Sequence, residues 1–69
     1  MTLREALRRA ETSIASQSIP DARIEAELLL MHALGIQRAE LYARLGEPLP
    51  LAVVDDFEAL VERRLRHEP

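Results

Sequence analysis

This sequence predicts an all-α fold, a small antiparallel bundle of four or five helices. Three observations carry the prediction. Apolar residues return at three- and four-residue steps along most of the chain, the period of one helix face. The residues between them are mostly alanine, glutamate and arginine, which favour helix over strand. Glycine and proline stand at the joints: Pro20, Gly35, Gly46, Pro48 and Pro50. With 69 residues, 48% of them hydrophobic, the chain is one ordered domain over residues 1–69. Tyr42 and Phe57 are its only aromatic residues, so the core must be aliphatic.

The first helix opens at Thr2 with Glu5 three residues on, the pattern of a capping box. Leu3, Ala6, Leu7, Ala10 and Ile14 form its stripe. The helix is expected to fade over residues 13–18, where small polar residues favour turns. The second helix is expected from Ser18-Ile19-Pro20-Asp21, with Pro20 in the first turn. Ala22, Ala26, Leu29, Leu30, Ala33 and Leu34 make a broad apolar face, widened by Leu28 and Met31. That breadth predicts a central helix. Gly35 should end it as a left-handed cap, with Ile36 closing a Schellman motif. A third, short helix runs from about Gln37 to Leu45 and stops at Gly46, with Leu41 and Leu45 inward and Tyr42 beside them. Pro48 and Pro50 make residues 47–50 a rigid link. The last helix starts at Pro50 or Leu51, with Val53, Val54, Phe57, Leu60, Val61 and Leu65 as its stripe. Asp55, Asp56, Glu58 and Glu62 give it an acidic start. Arg63, Arg64, Arg66 and His67 complement the dipole at its end.

Composition excludes several function classes. No cysteine is present, so disulfides and thiolate metal sites are out. The N-terminus lacks the apolar stretch of a signal peptide, and no apolar run approaches the ~20 residues that span a bilayer. A cytoplasmic monomer is the resulting expectation. The net charge of −3 argues against direct nucleic-acid binding. All nine basic residues are arginine, a side chain suited to bidentate pairing.

Catalytic equipment is not evident. Gly35 and Gly46 are isolated and read as helix caps, so no phosphate-cradling loop is formed. His32 and His67 lack metal-ligand spacing, and His32 reads as a packed or edge residue. Ser13, Ser16 and Ser18 lack a base partner. Glu25 and Glu27, two apart on a helix, point to different faces and cannot act as a carboxylate pair. Catalytic, cofactor and metal residues are therefore all expected to be absent. The sharpest positive feature is Arg63-Arg64-Leu65-Arg66, a solvated helix end or an anchor for an acidic partner surface or for the next domain.

Glu25-Ala26-Glu27-Leu28-Leu29-Leu30, His32, Leu34-Gly35, Arg38 and Leu41-Tyr42 resemble the N-terminal domain of the HemK/PrmC family. Phe57, Leu60-Val61, Arg63-Arg64 and Glu68-Pro69 resemble that domain's end. The similarity runs from Leu3 to Pro69 in one register. These are S-adenosylmethionine-dependent methyltransferases that modify the glutamine of the Gly-Gly-Gln loop of peptide-chain release factors. The resemblance implies that the chain is an excised N-terminal domain, with the family's C-terminal methyltransferase domain, its cofactor loop and its Asn-Pro-Pro-Tyr motif absent. It departs from the family at the caps, where Gln37 and Leu49 replace better capping residues at a cost of about 1 kcal/mol each at most.

The resemblance implies substrate recognition, with S-adenosylmethionine bound in the parent enzyme and not here. The implied partners are a release factor and the parent's own methyltransferase domain. Arg38, Tyr42, Arg44, Arg63, Arg64 and Arg66, read as exposed, are the candidate contacts, because arginine and tyrosine are enriched in interface hot spots. A structural domain that steadies the parent enzyme is the second reading, and a generic helical interaction module a third. A stand-alone helical enzyme of the chorismate-mutase type ranks last, since it needs inward-facing cations and the arginines avoid the apolar stripes.

Overall fold

The computed structural model describes residues 1–66, and the chain folds as four helices: α1 (Leu3–Ser16), α2 (Ala22–Leu34), α3 (Arg38–Ala43) and α4 (Leu51–Leu65). The all-α expectation holds. The readings placed on His67, Glu68 and Pro69 lie outside the described residues.

α1 forms where the capping box places it. The Glu5 N–H donates to Thr2 Oγ1 at 3.1 Å, and the Thr2 N–H donates to Glu5 Oε1 at 2.8 Å. Two further first-turn donors find partners far along the chain. The Leu3 N–H donates to the Glu47 carbonyl at 2.9 Å, and the Arg4 N–H to the Leu45 carbonyl at 3.0 Å. The Leu49 N–H in turn donates to the Met1 carbonyl at 2.8 Å, and Thr2 and Pro48 form an isolated antiparallel bridge. The α3–α4 link is thus laid across the start of α1, with every donor of that first turn satisfied. Leu3, Ala6, Leu7, Ala10 and Ile14, the predicted stripe, are all buried. Burial of each leucine or isoleucine contributes roughly 1.5–3 kcal/mol.

The entry to α2 differs from expectation. Pro20 lies in the preceding turn, and the helix starts at Ala22 behind Asp21. Ser18 and Asp21 both adopt left-handed backbone, with φ of 59° and 57°. Between them Ile19 is buried. Pulling Ile19 under the bundle requires two sharp turns in five residues, and that burial offsets the local strain. At its other end α2 stops as predicted. Gly35 has φ 68°, its N–H reaches the His32 carbonyl, and the Ile36 N–H reaches the Met31 carbonyl at 3.1 Å, the Schellman pair.

α2 is central. It packs broadly on α1 and α4 and also meets the short α3, while α1 meets α4 as well. Arg64 pairs with Glu25, and His32 and Ala33 face Asp56, Ala59 and Leu60, so α4 runs antiparallel to α2. Ala26 and Leu30 are buried, and Ala22, Leu29, Met31, Ala33 and Leu34 are half-buried against the core. Leu28 is the exception: it was expected to widen the buried face but is 49% exposed, beside Ile24 at 51%. Three packing partners cover most of α2 and leave this strip bare.

The third helix is shorter than expected. It ends at Ala43 with Arg44 as its cap, and Gly46 has no left-handed φ, so Gly46 is not a helix cap. Leu41 is fully buried and Leu45 half-buried. Leu49, read only as a poor cap, is buried at 6% exposure. α4 begins behind Pro50 without a side-chain cap, as the sequence implied. Its first turn holds no acidic residue, since Asp55 falls one turn in, so the acidic start is displaced from the dipole end. Phe57 is buried, and Val53, Val54, Leu60, Val61 and Leu65 are half-buried.

Leu30→Ala and Phe57→Ala should each cost about 2–5 kcal/mol in urea or thermal denaturation. Leu29→Ala should cost clearly less, because Leu29 keeps part of its surface in water. Equal losses at Leu29 and Leu30 would contradict this register of α2.

Candidate functional site

A carboxylate buried in a small aliphatic bundle must be surrounded by donors or it would be expelled. Glu27 meets that demand. It is 3% exposed, on the side of α2 that faces α3. The Arg23 Nε–H donates to its Oε2 at 3.0 Å, one turn back on the same helix. Arg38 Nε–H donates to its Oε1 at 3.1 Å, and the Tyr42 hydroxyl donates to Oε2 at 2.5 Å. Arg38 and Tyr42 are also one turn apart, on the face of α3 turned to α2. Two i, i+4 pairs on two helices therefore converge on one carboxylate. Arg23 reaches further, to Glu11 on α1 at 3.4 Å.

The electrostatics of this cluster follow from its geometry. Burial alone would push the Glu27 pKa up. The hydrogen bonds from Tyr42, Arg23 and Arg38 outweigh it and hold the carboxyl below the ordinary glutamate range. Their own hydrogen bonds to Glu27 raise the Tyr42 hydroxyl and the Arg23 guanidinium above their ordinary values. Each donor keeps an outer side: the Arg23 and Arg38 side chains are 46% exposed and Tyr42 is 47% exposed.

The six predicted contact residues fall into three places. Arg38 and Tyr42 are gathered around Glu27. Arg44 sits at the α3 cap, where Glu47 at 2.9 Å and Glu40 at 3.1 Å raise its pKa. Arg63, Arg64 and Arg66 lie at the end of α4. Arg64 is half-buried against Glu25 at 2.5 Å, and Arg44 is also half-buried, so these two are not the exposed arginines the sequence suggested. Their i, i+4 or cross-helix carboxylates draw them down onto the surface. Arg63 and Arg66 are exposed, and each has partners within the fold. Glu25 and Glu27 point to α4 and α3 respectively, as their spacing required.

Sequence reasoning missed Glu27 and Arg23 as a centre. A signal was present. Glu27 interrupts the apolar run from Ala26 to Met31, and Arg23 stands four residues before it. Nothing local announced that Arg38 and Tyr42 would join them.

Other features are plainer. An open groove of about 330 Å³ lies between α1 and α4, floored by Ala6, Ala10, Phe57 and Val61, with Arg9, Glu58 and Glu62 at its edges. His32 is exposed beside Asp56 and Arg63. Among the described residues no group of three His, Cys, Asp or Glu could hold a metal, and no helix is long and apolar enough to cross a membrane. Gly35 closes α2 and Gly46 stands alone in a turn, so neither builds the glycine-rich loop that S-adenosylmethionine would need.

Residues 5–69 match the family model described as the PrmC N-terminal domain. A release factor glutamine methyltransferase of Chlorobaculum tepidum is 38% identical over 65 residues, 94% of this chain and 22% of that protein. One of Moorella thermoacetica is 39% identical over 69 residues, all of this chain and 24% of that protein. A bifunctional methyltransferase of Rickettsia typhi is 34% identical over 68 residues, 99% of this chain and 13% of that protein. The chain thus spans about a quarter or less of the length of these curated relatives. No solved structure matches it significantly.

Because Glu27 has a depressed pKa in the fold, its stabilisation is present above the ordinary glutamate range. It is lost as pH falls through the folded value. Urea midpoints compared at about pH 7 and about pH 3 should fall more for the wild type than for Glu27→Gln, which has no charge to lose. Glu27→Ala should cost about 1–3 kcal/mol at neutral pH, because its half-exposed donors can turn to water. An identical acid response in the wild type and Glu27→Gln would remove Glu27 from this role.

Proposed function

The chain belongs to the family of the PrmC N-terminal domain, and on that premise we propose that it recognises a peptide-chain release factor for a methyltransferase domain in the same protein. In this reading the domain holds the factor so that the glutamine of its Gly-Gly-Gln loop enters the methyltransferase site. In the same reading S-adenosylmethionine and the reacting atoms belong to that other domain. The observation that carries the proposal is the match itself. It takes in nearly the whole helical fold, and the relatives it aligns with are named release factor glutamine methyltransferases.

The surface chemistry agrees. A recognition domain needs donors held in place before the partner arrives, because immobilising long side chains on binding costs affinity. Arg23, Arg38 and Tyr42 are held by Glu27 while their outer sides stay exposed.

A second reading, that the domain steadies its methyltransferase partner domain, draws on the bare apolar surface of Leu51, 90% exposed at the start of α4. One experiment separates the two. Residues 1–69 are deleted from the full-length enzyme, and KM is measured for intact release factor and for an excised loop peptide. The recognition reading expects KM for the intact factor to rise at least about tenfold, with the peptide little affected. Equal effects on both substrates, with a lowered Tm, would support the steadying role instead.

A further inference from the structure

We infer that the release factor docks on the outer side of α2 and α3, with Arg38 and Tyr42 as polar contacts and Ile24 and Leu28 as the apolar ones. The inference rests on the recognition reading above and adds the surface and its chemistry.

On α2 the Arg23–Glu27 row and the Ile24–Leu28 row are adjacent ridges of one helix. The first row is fixed by the buried carboxylate. The second is two large aliphatic side chains, 51% and 49% exposed. Soluble domains carry single exposed leucines without consequence, but here a one-turn apolar pair borders a set of immobilised donors. Arginine and tyrosine beside aliphatic groups, already ordered, is the make-up of a binding hot spot.

The donors left open in the cluster say what the partner must offer. Arg23 is shared between Glu27 and Glu11, whereas Arg38 has Glu27 as its carboxylate. Arg38 spends its Nε–H on Glu27, which leaves the far edge of its guanidinium for another acceptor. The fitting surface is a protein patch that sets a carboxylate next to an apolar side chain. Such a charge-assisted bond at a half-desolvated arginine gains from the fixed geometry below it.

Glu27 is then a positioning residue. It touches no partner and acts through Arg38 and Tyr42.

The test is calorimetric titration of the full-length methyltransferase with purified release factor. Leu28→Asp and Arg38→Ala should each raise Kd about tenfold or more, while Arg9→Glu, at the edge of the α1–α4 groove, should leave it unchanged. Far-UV circular dichroism and Tm of each variant report whether the domain still folds; Leu28 and Arg38 are both half-exposed, so both variants should fold. Glu27→Gln, which keeps the shape and loses the charge, should raise Kd by a smaller factor. If deletion of residues 1–69 weakens binding but Leu28→Asp and Arg38→Ala do not, the surface is wrong and the recognition reading stands. If the deletion leaves Kd unchanged, both fail. If the two variants lower the Tm of the full-length enzyme without changing Kd, the strip covers the neighbouring domain, and the inference is overturned.

Discussion

A single carboxylate in an apolar helix sets the terms for much of this fold. Glu27 lies on α2, the helix that meets every other one, and its charge needs donors the helix itself cannot supply in full. Arg23 provides one from within α2. The others come only if α3 lies against α2 with Arg38 and Tyr42 facing inward. A helix of six residues is too short to persist by its own hydrogen bonding. Leu41 beneath it and Glu27 beside it are what hold it. A leucine at position 27 would bury as well but would leave the orientation of α3 unspecified. The carboxylate selects one orientation, at the expense of acid sensitivity.

The second constraint acts at the opposite end of the sequence. The Leu3 and Arg4 amides donate to the Glu47 and Leu45 carbonyls and the Leu49 amide to the Met1 carbonyl, so the start of α1 and the link before α4 are fixed by the same bonds. α3 is therefore gripped at both ends: by the Schellman turn at Gly35 and Ile36 before it, and by the strap across Thr2 after it. Leu49 is buried under that strap, which gives the proline-flanked link an apolar reason for its path.

What was legible in the sequence was whatever depends on neighbours in the chain. The capping box at Thr2 and Glu5, the α1 stripe, the Gly35 cap and the Phe57 stripe are all one- or two-turn patterns. The misplacements share a different cause. Proline suits a first turn, which points to Pro20 inside α2, yet with Ile19 buried the helix starts at Ala22. An apolar run does not show which side lacks a partner, so it points to Leu28 inside, where the structure leaves it exposed. Gly46 was read as a cap because glycine often is one, yet α3 ends earlier, where Arg44 finds Glu40 and Glu47. The candidate site was half legible: Arg38 and Tyr42 were named, but for their residue type and not for the carboxylate that joins them.

The arginines show how a domain of net charge −3 can still present cationic contacts. Arg23, Arg38, Arg44 and Arg64 all have carboxylates of their own fold within hydrogen-bonding distance. A guanidinium has five N–H donors, so one or two internal bonds fix its plane without exhausting it. The usual objection to surface ion pairs is that ordering two long side chains cancels most of the gain. Where the carboxylate is buried, as at Glu27, its own ordering has already been settled by packing, and the arginine alone remains to be fixed. That difference separates Arg38 from Arg44, whose partners Glu40 and Glu47 are both more than half exposed. It is the physical ground for proposing the α2–α3 face, and not the Arg44 ion pairs, as the docking surface.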